Sequence, residues 1–108
     1  MFNKSNMLGM LKQAQQAKKQ LKKVQKEIDR MVFNGFSSNE TVTATVNGKL
    51  EITNLELSDS FSNYSTREQK ELIKSAVNMA ISNAQKTSQE KIKSVTGGML
   101  GDMNIPGL

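Results

Sequence analysis

The chain has 108 residues, 36% of them apolar, with no cysteine, no histidine and a formal net charge of +5. That length suits one domain with a thin core, and the composition leaves no disulfide framework, no thiolate or imidazole ligands and no imidazole base. The charge is lopsided: residues 1–34 hold eight basic side chains against two acidic ones, and the remainder holds seven against eight, so the excess belongs to the first segment.

Residues 1–6 read as a loose start, with Ser5 or Asn6 available to cap a helix. From Met7 the apolar residues recur at spacings of three and four: Met7, Met10, Ala14, Ala17, Leu21, Val24, Ile28 and Met31. This is the narrow seam of an amphipathic helix. Gly9 weakens its first turns, so the firm helix is Leu11–Met31. Lys12, Lys19 and Lys26 fall seven apart on the opposite face, with Lys22, Lys23 and Arg30 beside them and Lys18 nearer the seam.

The period then changes from 3.6 to 2. Val32–Ser37 reads as a short strand broken by Gly35, and residues 38–40 as a turn. Thr41–Val46 alternates cleanly, with Val42, Ala44 and Val46 on one face, the pattern of a half-buried strand. Asn47-Gly48 predicts a type I′ hairpin with positive φ at both residues. The third strand, Leu50–Leu57, slips phase between Ile52 and Leu55, which predicts a bulge at Thr53-Asn54.

Residues 58–64 form a polar connection containing Phe61. Ser65-Thr66-Arg67-Glu68 matches a capping box and opens a second helix, Thr66–Ser94. Ile73, Val77, Ala80 and Ala84 line one of its faces, with Leu72, Ala76 and Ile81 alongside. Gly97-Gly98 is expected to stop it, leaving residues 99–108 as a flexible tail. The order α-β-β-β-α predicts a single α+β domain over residues 1–108, a three-stranded antiparallel meander flanked by two long helices. The thin core and the extended apolar seam predict a homodimer.

Several activities find no support. The acids Glu40, Glu51, Glu56 and Asp59 have no paired spacing, and neither a Walker-type nor a dinucleotide-binding glycine motif occurs. No enzyme, metal site, cofactor or small-molecule substrate is expected. No apolar run approaches the roughly 18 residues of a membrane span, and the N-terminus lacks a signal-peptide core, so a soluble cytoplasmic protein without a membrane partner is expected.

The ordered motifs resemble a family. Lys12-Gln13-Ala14-Gln15-Gln16 opens the basic helix, and Val46-Asn47-Gly48 leads into Leu55-Glu56-Leu57. Ala76-Val77-Asn78-Met79-Ala80 and Asn83-Ala84 mark the last helix, which closes on Thr96-Gly97-Gly98-Met99. Together they resemble the YbaB/EbfC family of bacterial nucleoid-associated proteins. The resemblance implies a homodimer that binds DNA with its protruding long helices, in the cytoplasm as part of the nucleoid.

With the resemblance, the one-sided charge makes duplex DNA held mainly through backbone phosphates the leading reading. The candidates are Lys12, Lys19, Lys22, Lys23, Lys26 and Arg30, with Lys86, Lys91 and Lys93 as a second patch. Two arginines in the whole chain, Arg30 and Arg67, leave little for bidentate base readout. No aromatic interleaves the lysines, which argues against single-strand stacking. The alternative is a helical protein–protein interaction module whose lysines are only solvated.

Overall fold

The computed structural model describes residues 4–100, with side chains described for residues 8–96. Helix α1 (Lys4–Arg30) leads into β1 (Val32–Phe36), β2 (Val42–Asn47) and β3 (Ile52–Leu57). A 3-10 turn (Asp59–Asn63) then precedes helix α2 (Thr66–Leu100). The sheet is an antiparallel meander with β2 in the centre, so the α+β class and the α-β-β-β-α order hold.

Helix α2 covers one face of β1 and β2. Val42, Ala44, Val46 and Phe33 from the sheet are buried with Ala76, Ala80 and Ala84 from the helix. Alanines four residues apart form a smooth ridge on one helix face, and β1 meets it with Gly35. A Cβ at Gly35 would run into the Ala76 carbonyl oxygen and the Ala80 amide nitrogen, so only glycine permits this approach. Gly35 therefore does not break β1, which pairs continuously with β2 from Val32↔Asn47 to Phe36↔Thr43.

Ser65 caps α2 as expected, with Glu68 reaching back to the Ser65 hydroxyl and not to its backbone N–H. The Glu68 N–H donates to Ser65 Oγ at 3.2 Å, and that hydroxyl donates to Glu68 Oε1 at 2.9 Å. The bulge also forms. Pairing steps from Thr45↔Asn54 to Val46↔Ile52, leaving Thr53 as the extra residue. As a result Ile52, Leu55 and Leu57 all stand beside buried β2 residues on the helix-covered side. Yet α2 does not reach across them, and they are 55%, 39% and 46% exposed.

Beyond the sheet, α2 continues alongside α1 and the two form an arm; the molecule measures 72 × 26 × 16 Å. Val24 and Glu27 of α1 face Thr87, Lys91, Ser94 and Val95 of α2. The seam of α1 is thus divided. Its sheet-proximal part, Val24 and Ile28, is buried, whereas Met10 is 60% exposed and Leu21 is 37% exposed.

Beyond one-residue differences at strand and helix ends, four sequence-based expectations change. Helix α1 starts at Lys4, so Ser5 and Asn6 lie within it and do not precede it. Strand β3 starts at Ile52, two residues later than expected. Helix α2 passes through Gly97-Gly98 to Leu100. Glycine lowers helix propensity by about 1 kcal/mol without forbidding helical dihedrals, and proline waits until position 106. Of the expected flexible tail, Met99 and Leu100 are therefore helical, and residues 101–108, like residues 1–3, lie outside the described residues.

The fourth correction is the hairpin. Asn47 O accepts the Leu50 N–H at 3.0 Å, and the Asn47 N–H donates to Glu51 O at 3.0 Å. The positive φ (64°) falls on Leu50, while Gly48 stays outside the left-handed region. This is a three-residue hairpin loop, not a two-residue type I′ turn. Asn47 Oδ1 stabilises it by accepting from the Lys49 and Glu51 amides. Gly48 has a packing reason instead: a Cβ there would strike the Ile28 carbonyl at the last turn of α1.

Candidate nucleic-acid interface

Burial of Val24 and Ile28 fixes the rotation of α1 on the molecule. Residues half a turn away must then face water. Lys12, Lys19, Lys22, Lys23, Lys26 and Arg30 occupy that outer side, and all six are exposed. At about 1.5 Å per residue they extend over roughly 27 Å, a little short of one duplex turn of about 34 Å. Among the described residues none of the six forms a salt bridge. The two acids of α1 are engaged elsewhere: Glu27 pairs with Lys91 at 3.8 Å, and Asp29 accepts a hydrogen bond from Gln25 at 2.9 Å. At the sheet end, Lys23, Lys26 and Arg30 line a shallow basin together with Glu27 and Met31.

The expected second patch does not come together as one surface. Lys91 turns toward α1, where its pair with Glu27 joins the two helices. Both side chains are about half exposed, so the pair is worth at most about 1 kcal/mol. Lys86 and Lys93, seven residues apart, lie on the side of α2 turned away from α1. Glu90 sits within one turn of both and offsets their charge. The denser cation array is therefore that of α1.

Two surfaces escaped the sequence reasoning. One is the apolar strip of Ile52, Leu55 and Leu57 continued by the half-buried Ile73, Val77 and Ile81 of α2. Its signal was the return of Ile52, Leu55 and Leu57 to a common phase across the slip in β3. The other is the contrast between the sheet edges. On β1 the Phe36 N–H donates to Met79 Sδ at 3.4 Å, and Asn83 Nδ2 donates to Asn34 O at 2.9 Å, so α2 side chains occupy edge groups. Among the described residues no such contact occupies the outer edge of β3. No group of three His, Cys, Asp or Glu able to hold a metal occurs among the described residues. None of their helices is long and apolar enough to cross a membrane.

Comparison with known proteins agrees with this arrangement. Residues 3–99 match the model of the YbaB/EbfC DNA-binding family. The chain is 38% identical over 104 residues to a nucleoid-associated protein of Clostridium acetobutylicum, covering 95% of this chain and 89% of the relative. It is 34% identical over 100 residues to a nucleoid-associated protein of Chlorobium phaeobacteroides, covering 93% and 89%. A Helicobacter pylori protein of known crystal structure shares the fold with a TM-score of 0.62 at 22% identity, over 94% of this chain and 100% of the other. With a basic two-helix arm on a three-stranded sheet, and with sequence similarity over nearly its whole length, the chain belongs to the YbaB/EbfC DNA-binding family.

Proposed function

We propose that the protein is a homodimeric, nucleoid-associated protein of the bacterial cytoplasm that holds duplex DNA through its backbone phosphates. The contact residues are Lys12, Lys19, Lys22, Lys23, Lys26 and Arg30 of α1, with Lys86 and Lys93 as a minor outlying contribution. The observation that carries the reading is the outer face of α1, six exposed cations without an ion-pair partner among the described residues. A rigid helix holds such charges in a row, so each phosphate contact releases counterions with little further ordering of the protein. Lysines supply charge as points and not as bidentate forks, which suits binding that varies little with base sequence. The names of the relatives support the nucleoid assignment.

The strip on β3 and α2 supports self-association. Ile52, Leu55 and Leu57 lie next to the core with no covering layer, and exposed apolar patches of this kind mark contact surfaces. In a two-fold pair the strip of one protomer covers the strip of the other, and the arms remain outside the contact. Fluorescence anisotropy on a labelled duplex across a salt series tests the DNA reading. If about six phosphates are engaged, log K falls against log salt with a slope of roughly −5. A protein whose arm only docks another protein gives no retention on DNA at low salt.

A further inference from the structure

The outer face of α1 is not uniformly basic. Among its described side chains, Met10, Ala14, Ala17, Leu21, Val24 and Ile28 all follow the seam. Leu8 and Leu11 are the two apolar residues that do not. Leu8 and Lys26 are eighteen residues apart, five full turns, and Leu11 and Lys22 are eleven apart, close to three turns. The two leucines therefore continue the line of the lysines toward the distal end of the arm, with Lys12 next to them. They are 59% and 58% exposed, so the fold draws little from them. Gly9 lies between them in the chain, and a Cβ there would meet nothing. The fold requires neither the leucines nor the bare glycine.

We propose that Leu8 and Leu11 form an apolar wedge that enters the minor groove of the duplex held by the α1 lysines, opens a base step and bends the DNA. The inference rests on the DNA reading above. A minor groove about 6 Å wide excludes a helix but admits side chains protruding from one. A helix running along the phosphates of one strand sets its cations against that ridge, and the two leucines at the distal end of the same line reach the groove beside it. Leucine is among the side chains that wedge base steps in this way, and the bend brings more of the duplex against the protein. Two other occupants fit less well. A second copy seated on the same face would bring two rows of lysines together. A bilayer surface calls for a broad apolar face, whereas here only two leucines end a row of cations.

The test uses the full-length protein and a duplex of about 30 base pairs carrying a donor and an acceptor dye at its ends. Wild type is compared with Leu8→Gln/Leu11→Gln, which keeps good helix formers and adds no charge. Circular dichroism and light scattering should be the same for both. Wild type should raise energy transfer on binding. The double variant should lose that rise and bind about tenfold more weakly at every salt concentration, with the salt slope unchanged. Leu8→Met/Leu11→Met should retain the bend. Wild type that binds with a steep slope without bending, or a glutamine variant that bends as wild type does, overturns the wedge and leaves the phosphate reading standing. A dimer that dissociates in the glutamine variant also overturns it, by assigning the leucines to a protein contact. Failure of wild type to bind duplex DNA at low salt removes both readings together.

Discussion

Gly48→Ala and Gly9→Ala make the same chemical change and should act in opposite directions. At Gly48 the new methyl would overlap the Ile28 carbonyl and approach the Asp29 nitrogen to 2.9 Å. Those are backbone atoms in the last turn of α1, anchored by Ile28, which is 1% exposed. The obstacle cannot rotate aside as a side chain would, so the hairpin or the helix end has to shift. Overpacking of this kind costs about 1–3 kcal/mol. Because Gly48 is not in the left-handed region, alanine should recover about 0.4–1 kcal/mol through the unfolded chain. The net loss is about 1–2 kcal/mol, a fall in Tm of about 5–15 °C for a domain of this size. At Gly9 nothing lies within 4 Å, and alanine should favour the helix by up to about 1 kcal/mol. That gain is local to the arm, so it should appear as added helicity at 222 nm and not as a lower Tm. Thermal melts by circular dichroism at one fixed protein concentration measure both. A Gly48→Ala protein as stable as wild type would refute the packing argument.

Other expectations follow from single features. Glu40 has a φ of 58° in an exposed turn; Glu40→Gly should raise stability by about 1 kcal/mol, read as a higher urea midpoint. Ser65→Ala removes the reciprocal cap on Glu68 and should lower stability by about 1 kcal/mol in the same titration. Leu55→Asp/Leu57→Asp places charge in the open apolar strip. Light scattering should change from about twice the 12.0 kDa chain mass to the single-chain mass while the helical signal is kept. Wild type at single-chain mass across the micromolar range would remove the dimer.

The order of elements was legible because each change of period in the chain is abrupt, from the seam of α1 to the alternation of Val42, Ala44 and Val46 and back. The bulge at Thr53 was legible for the same reason, since only an extra residue returns Ile52, Leu55 and Leu57 to one face. The hairpin departs from its sequence reading because a glycine can answer either of two demands. The local one is positive φ, which here falls on Leu50; the tertiary one is room for the Ile28 carbonyl, which is what Gly48 supplies and which no pattern within the hairpin reveals. Gly97-Gly98 reads as a stop signal on propensity, but glycine only weakens a helix and α2 runs through it. The cation face of α1 could be read from spacing alone, because a seam fixes its opposite side. The loss of Lys91 from the second patch could not, since its pairing with Glu27 depends on how α1 and α2 lie together.

The central claim is that the outer lysines of α1 hold DNA phosphates. It is tested most directly by the salt dependence of Lys19→Gln/Lys22→Gln/Lys23→Gln/Lys26→Gln beside wild type on one duplex. Glutamine keeps the helix, and these side chains lie outside the buried seam, so fold and mass should be unchanged. Each phosphate contact removed should lessen the slope of log K against log salt by about 0.9, and the wild-type slope of roughly −5 should become shallower by between three and four units. A folded variant with the wild-type slope would contradict the account and show the lysine face of α1 to be solvated surface.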